Sequence, residues 1–173
     1  MRRGVVRATE RSAVASSVLR AVRPPLRLAV QYASSDTELP GRGSIRRWLA
    51  AAQSRPAQLT VRLVDAEEGR ALNRDYRQRD YATNVLTFAY HDAEADIDGD
   101  IVLCAPVIRL EAATQGKLLS HHYAHLLIHG MLHLHGMDHQ TEAEAGQMES
   151  LERVILQRMR VPDPYAEVAE PHC

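Results

Sequence analysis

Residues 129 to 139 read His129-Gly130-Met131-Leu132-His133-Leu134-His135-Gly136-Met137-Asp138-His139, and this stretch limits the fold more than any other in the chain. His129 and His133 are four apart, so on a helix they share a face about one turn apart. Gly136 is expected to end that helix, because glycine takes the left-handed conformation at a helix C-terminus without steric cost. The chain then reverses and swings His139 back toward the first two imidazoles. Three neutral imidazoles with an open fourth position describe a catalytic zinc site, one ion per chain. A structural zinc usually closes its sphere with four protein ligands, commonly cysteines.

The spacing H-x-x-x-H-x-x-G-x-x-H is shared with the metzincin metalloproteases, in which the residue after the first histidine is a glutamate serving as general base. Here that position is Gly130, so peptide hydrolysis by the usual route lacks the group that takes the proton from water. Upstream, His121, His125, His129 and His133 continue as one ladder at helical spacing. His125 and His133 start ~12 Å apart along the axis, too far to share one ion. His125 therefore reads as a neighbour or outer-shell group, and His121, His122 and His135 as surface or packing residues. Asp138 either orients an imidazole as an acceptor or stabilises the turn, and the sequence does not separate the two.

With 173 residues, 45% hydrophobic and 25% charged, the chain fits one globular domain with a usable core. A net charge of −1 excludes a generally basic nucleic-acid binder, so any phosphate affinity needs a local patch. The two cysteines, Cys104 and Cys173, suggest neither a disulfide framework nor a cysteine metal site, and a reducing compartment fits best. No apolar run approaches the ~20 residues that span a bilayer. Residues 1–25 form a basic extension with arginines at 2, 3, 7, 11, 20 and 23, read as disordered rather than as a transit peptide. The location expected is the cytoplasm, or an organelle if that extension is a targeting signal. The domain is placed at 26–160, with 161–173 as a C-terminal tail.

Within the domain, short strand-like runs alternate with amphipathic helices. Strands are expected at Leu26 to Tyr32, Gln58 to Val64, Val85 to Tyr90 and Ile101 to Val107, the last ending near Pro106. Helices are expected over Ser44 to Ala52 with Ser44 as N-cap, Ala66 to Tyr76 capped by Asp65, about Ile108 to Gln115, and the histidine helix from near Ser120. Thr141 caps a last helix to about Met159, with Met148, Leu151, Ile155 and Met159 as an apolar stripe. The result is an α+β single domain. A small mixed sheet of about four strands is covered by about five helices, with a zincin-like metal helix that places the site at one edge.

Four blocks of this chain resemble the YbeY family of metal-dependent endoribonucleases, also called rRNA maturation factors. They are Leu72-Asn73-Arg74-Asp75-Tyr76-Arg77-Gln78-Arg79-Asp80, then Thr83-Asn84-Val85-Leu86-Thr87-Phe88, then Gly99-Asp100-Ile101-Val102-Leu103-Cys104-Ala105-Pro106, and His129 to His139. The last matches the signature H-G-x-L-H-L-x-G-x-D-H at every fixed position, and the likeness runs in order from about residue 26 to about 160. The resemblance implies zinc bound by His129, His133 and His139, and a functional arginine at Arg77. It further implies single-strand-specific cleavage in maturing the 3′ end of 16S ribosomal RNA, ribosome biogenesis and ribosome quality control. The implied partners are ribosomal RNA, the small ribosomal subunit and assembly factors, with no DNA and no membrane.

Chemistry agrees with that expectation. A zinc held by three imidazoles lowers the pKa of its water from ~15.7 toward ~7 and polarises a phosphoryl oxygen. A planar guanidinium can donate two parallel hydrogen bonds to the charge that gathers on a phosphorane's equatorial oxygens. Arg77 is the candidate; Arg74 and Arg79 read as solvated neighbours. Two alternatives stay open: a zinc-dependent hydrolase of another substrate, such as a peptide, and a non-catalytic assembly factor in which zinc is structural.

Overall fold

Leu26, Leu28 and Val30 alternate with exposed residues to give the edge strand β1 (Leu26–Tyr32), and the chain then adds β2 (Ala57–Val64) beside it in parallel. In the computed structural model, which describes residues 23–90 and 96–166, seven further elements follow. They are α1 (Arg42–Ala52) between these strands, then α2 (Ala66–Arg77), β3 (Val85–Ala89), β4 (Ile97–Cys104), α3 (Ala105–Thr114), α4 (Leu119–Leu134) and α5 (Glu142–Arg158). The arginine-rich extension before residue 23, residues 91–95 and Cys173 lie outside the described residues.

The four strands form one sheet in the order β1-β2-β4-β3. β2 and β4 pair in parallel, while β3 runs antiparallel to β4 and forms the second edge. The sheet is mixed and carries five helices, the α+β architecture expected. β4 is central and buried on both faces, which explains its unbroken apolar run Ile101-Val102-Leu103-Cys104. One face packs Leu59, Val61, Leu63, Ile101 and Leu103 against Ile45, Trp48 and Leu49 of α1 and against α4 and α5. The other gathers Val64, Leu86, Val102 and Cys104 with Leu72 of α2 and Val107 of α3.

Several helix ends differ from the sequence expectation. Helix α1 begins at Arg42 with Gly41 in the cap position, two residues ahead of Ser44. Asp65 occupies the cap position of α2 but makes no cap bond. Its carboxylate instead accepts from the Ser34 hydroxyl at 2.5 Å and from the Ser35 hydroxyl at 3.0 Å, tying the segment after β1 to the end of β2. Pro106 does not close a strand; it sits in the first turn of α3, where its missing N–H has no helical partner to lose. Thr141 does cap α5, in a reciprocal pair with Glu144: each backbone N–H donates to the other's side chain, at 3.0 and 3.2 Å. The buried stripe of α5 runs through Met148, Glu152, Ile155 and Leu156, whereas Leu151 is 38% exposed.

Helix α4 lies closest to the sheet. Leu127, Ile128 and Met131 are fully buried, and a Cβ built on Gly130 would meet Thr87 Cγ2 and Ile101 Cδ1 at 3.2 Å. Position 130 is therefore tight even for a methyl group, and a carboxylate side chain would have to displace Thr87 and Ile101. Gly130→Glu, which would complete the peptidase-type motif, should drive a charge into a dry interface and cost several kcal/mol. The expected result is a fall of ten degrees or more in the thermal midpoint, or no folded product; an unchanged melt would show that α4 does not sit this near the sheet.

Candidate metal centre and its cleft

The i, i+4 spacing on α4 brings the His129 and His133 rings to 4.6 Å between centroids. The helix ends as its sequence suggests. Gly136 adopts φ +87°, and the Met137 N–H reaches back to the Leu132 carbonyl at 3.1 Å. That reversal returns His139 to 5.0 Å from His133 and 5.6 Å from His129, ring centre to ring centre. The three residues expected to gather do gather, with ligand nitrogens within 4.8 Å of one another.

The hydrogen bonds behind these rings decide which nitrogens face the common centre. His129 Nδ1 lies 2.7 Å from Glu152 Oε1, and His133 Nδ1 lies 2.9 Å from the Met137 carbonyl. Both partners are acceptors, so the Nδ1 atoms carry the protons and the Nε2 atoms keep their lone pairs. Those Nε2 atoms face each other at 3.0 Å. Two lone pairs so close repel unless a cation lies between them, and tetrahedral zinc with Zn–N bonds of ~2.0–2.1 Å spaces its nitrogens by ~3.3 Å. The donor set fits a metal ion. Burial, with the neighbouring His129, pushes the His133 imidazole below its ordinary value of 6.5, which keeps it neutral and ready to bind.

Glu152 was not anticipated. It projects from α5 with no solvent exposure and holds His129 with one oxygen and His125 Nε2, at 3.1 Å, with the other. Tyr165 donates its hydroxyl to the same carboxylate. Burial alone would raise the Glu152 carboxyl, but the bonds to His125, His129 and Tyr165 outweigh it and hold the group at about 2. Its stabilising contribution is therefore complete above the ordinary value of 4.5 and is lost as pH falls toward 2. The signal in the sequence was its place, a carboxylate four residues after Met148 on the stripe that α5 buries. The segment after α5 belongs to this arrangement: Tyr165 reaches Glu152, and Lys117 Nζ holds the Pro164 carbonyl at 2.7 Å.

His125 stands one turn behind the gathered histidines, on the far side of Glu152. His122 is buried and bonded to Glu111 at 2.8 Å, and His135 contacts the Ala52 carbonyl at 3.2 Å. Asp138 accepts from the His139 backbone N–H at 2.8 Å and from Gln140 Nε2 at 2.7 Å, so it braces the turn rather than a ring.

The histidines open into a cleft of about 600 Å³ that Arg77, Thr83, Asn84 and Thr87 also line. Arg70 is paired with Asp80 at 2.7 Å and Arg74 with Asp75 at 3.1 Å. Arg77, among the described residues, has no hydrogen-bond or ion-pair partner and stands exposed at the end of α2. Glu152→Gln, which keeps shape but removes charge, should leave the far-ultraviolet spectrum unchanged and weaken zinc binding about 10- to 100-fold in a chelator competition; unchanged affinity would remove Glu152 from any part in orienting His129.

The sequence was also compared with known proteins. A family model described as Endoribonuclease YbeY matches residues 41–160. Relatives named Endoribonuclease YbeY include one from Thiobacillus denitrificans, 56% identical over 143 residues, covering 82% of this chain and 97% of that protein. Another, from Methylibium petroleiphilum, is 52% identical over 149 residues, covering 85% and 99%. A solution structure from Thermotoga maritima aligns at a TM-score of 0.48 and 19% identity, covering 82% of this chain and 99% of that one. On the family model and the relatives' identity and coverage, this chain belongs to the endoribonuclease YbeY family.

Proposed function

We propose that the protein is a zinc-dependent endoribonuclease that cuts single-stranded RNA, with the 3′ end of small-subunit ribosomal RNA as its target in ribosome maturation and quality control. The observation that carries this reading is one cleft lined both by three gathered imidazoles and by a guanidinium unpartnered among the described residues. The relatives' name supports RNA as the substrate class, and the likeness of the four sequence blocks supports the ribosomal target. His129, His133 and His139 would hold the ion; three nitrogen ligands opening onto a cleft favour a catalytic over a structural role, and imidazole donors suit zinc.

When bound, that ion would polarise a phosphoryl oxygen and lower the pKa of a water at the site. The chain's own residues do the rest. Arg77 donates to the non-bridging oxygens of the scissile phosphate, with more force as negative charge gathers there. Thr83 and Thr87 line the same cleft. Glu152 fixes the His129 tautomer from behind, and Asp138 holds the turn that presents His139. No carboxylate replaces the base that a peptidase needs: Gly130 has no side chain, and Glu152 is sealed away from the cleft.

The test is metal content and cleavage measured together, on an unstructured RNA carrying a small-subunit 3′ end. Arg77→Ala should keep about one zinc per chain and lose cleavage by about 10²- to 10³-fold. His133→Ala should lose both zinc and cleavage. If wild type and both variants cut equally, the activity belongs to a contaminant. If wild type binds zinc and RNA but does not cut, the protein is a zinc-stabilised assembly factor.

A further inference from the structure

Among the described residues the buried polar or charged side chains are Asn73, His122 and Glu152. A polar group taken out of water costs free energy unless it is bonded, so each needs a reason for its place. Glu152 stands behind His129. Asn73 and His122 lead instead to one segment, residues 78–84, which joins Arg77 at the end of α2 to β3.

Asn73 grips the start of that segment. Its backbone carbonyl accepts from the Arg79 N–H at 3.3 Å, and its Nδ2 donates to the Tyr81 carbonyl at 2.8 Å. Here the chain leaves α2 through Gln78 at φ +58°, a left-handed conformation that a residue with a side chain keeps only when its surroundings hold it. Arg77 is the residue just before this turn, so the turn sets the point from which its guanidinium reaches.

His122 grips the other end through Glu111. Burial pushes the His122 imidazole below its ordinary value of 6.5, so the ring is neutral, and its one N–H, on Nε2, goes to Glu111 Oε2 at 2.8 Å. Glu111 also accepts from Asn84 Nδ2 at 3.0 and 3.2 Å, and the Asn84 carbonyl accepts from the Cys104 N–H at 2.9 Å. Asn84 lines the cleft, and His122 lies on α4 about two turns before His129. These bonds tie the Asn84 end of the segment to the helix that carries the histidines.

We propose that Asn73 and Glu111 are positioning residues for the cleft: Asn73 fixes the turn after Arg77, and Glu111 fixes the far end of the same segment against α4, so that Arg77 is held at a set distance from His129, His133 and His139. This rests on the endoribonuclease reading and assigns residues that touch neither metal nor substrate.

The test uses the zinc-loaded full chain and a short unstructured RNA, with kcat, KM, zinc affinity by chelator competition and melting temperature measured for each variant. Asn73→Leu fills a similar space without the donor. Glu111→Ala removes the carboxylate at a partly exposed position, where the fold tolerates the loss, and Glu111→Gln keeps an oxygen to accept from Asn84. Asn73→Leu and Glu111→Ala should each lower kcat about tenfold with KM and zinc affinity at wild-type values, and Glu111→Gln should restore most of the loss. In an Arg77→Ala background neither change should lower kcat further, because no guanidinium is left to misplace. If kcat is unchanged, if the losses persist in full without Arg77, or if zinc affinity falls with kcat, the positioning roles are overturned while the nuclease reading stands. Should Asn73→Leu fail to fold, the two Glu111 variants decide by the same criteria. If wild type binds zinc and cuts no RNA, the nuclease reading falls and the positioning roles with it.

Discussion

Helix α4 is clamped between the sheet and α5, and that burial sets the direction in which its remaining polar edge points. Leu127, Ile128 and Met131 contribute on the order of 1.5–3 kcal/mol each by leaving water. Together they lock the helix's rotation about its own axis. Once that rotation is fixed, His129 and His133 can face only one way, toward the edge where β3 ends the sheet. Gly130 is the contact that allows this depth, since a bulky side chain there would press on Thr87 and Ile101 and push α4, with its histidines, outward. A helix packed more loosely would present the same histidines with neither a common centre nor a carboxylate behind them.

Charge is distributed on the same principle. A site of the proposed kind profits from cations and suffers from free carboxylates. Glu152 stands behind His129, fully buried and satisfied by three partners. A buried carboxylate is costly unless its oxygens are bonded, and here the same bonds that offset that cost orient the His129 imidazole. Asp138 does line the cleft, but the His139 N–H and Gln140 occupy its oxygens. Arg77 lines the same cleft with no partner among the described residues, its donors unengaged.

Local rules were legible in the chain wherever they act over a few residues. β1 has the bounds its alternation suggests, the histidine helix ends at the glycine that sequence points to, and Thr141 caps the last helix as expected. Ser44 and Asp65 were misread, because a capping residue type caps only where the chain's course puts it at the helix end and leaves its side chain free. Asp65 was claimed by Ser34 and Ser35, some thirty residues away in sequence. Leu151 was misplaced on the α5 stripe because a 3.6-residue period leaves the angle of the buried arc uncertain by one residue. The arc that packs turns instead on Glu152 and Leu156.

The sequence by itself therefore determined the gathered histidine trio, since two histidines one helical turn apart and a third returned by a glycine are set by backbone geometry within eleven residues. It also determined the α+β composition, through the alternation of two-residue and 3.6-residue periods. Only the tertiary structure decided what stands around the trio. That Glu152 lies behind His129, that Arg77 lines the same cleft, and that Tyr165 bonds Glu152 all depend on how α2, α5 and the segment after α5 pack around α4. Those arrangements are settled by packing among side chains far apart in the chain, and no local period records them.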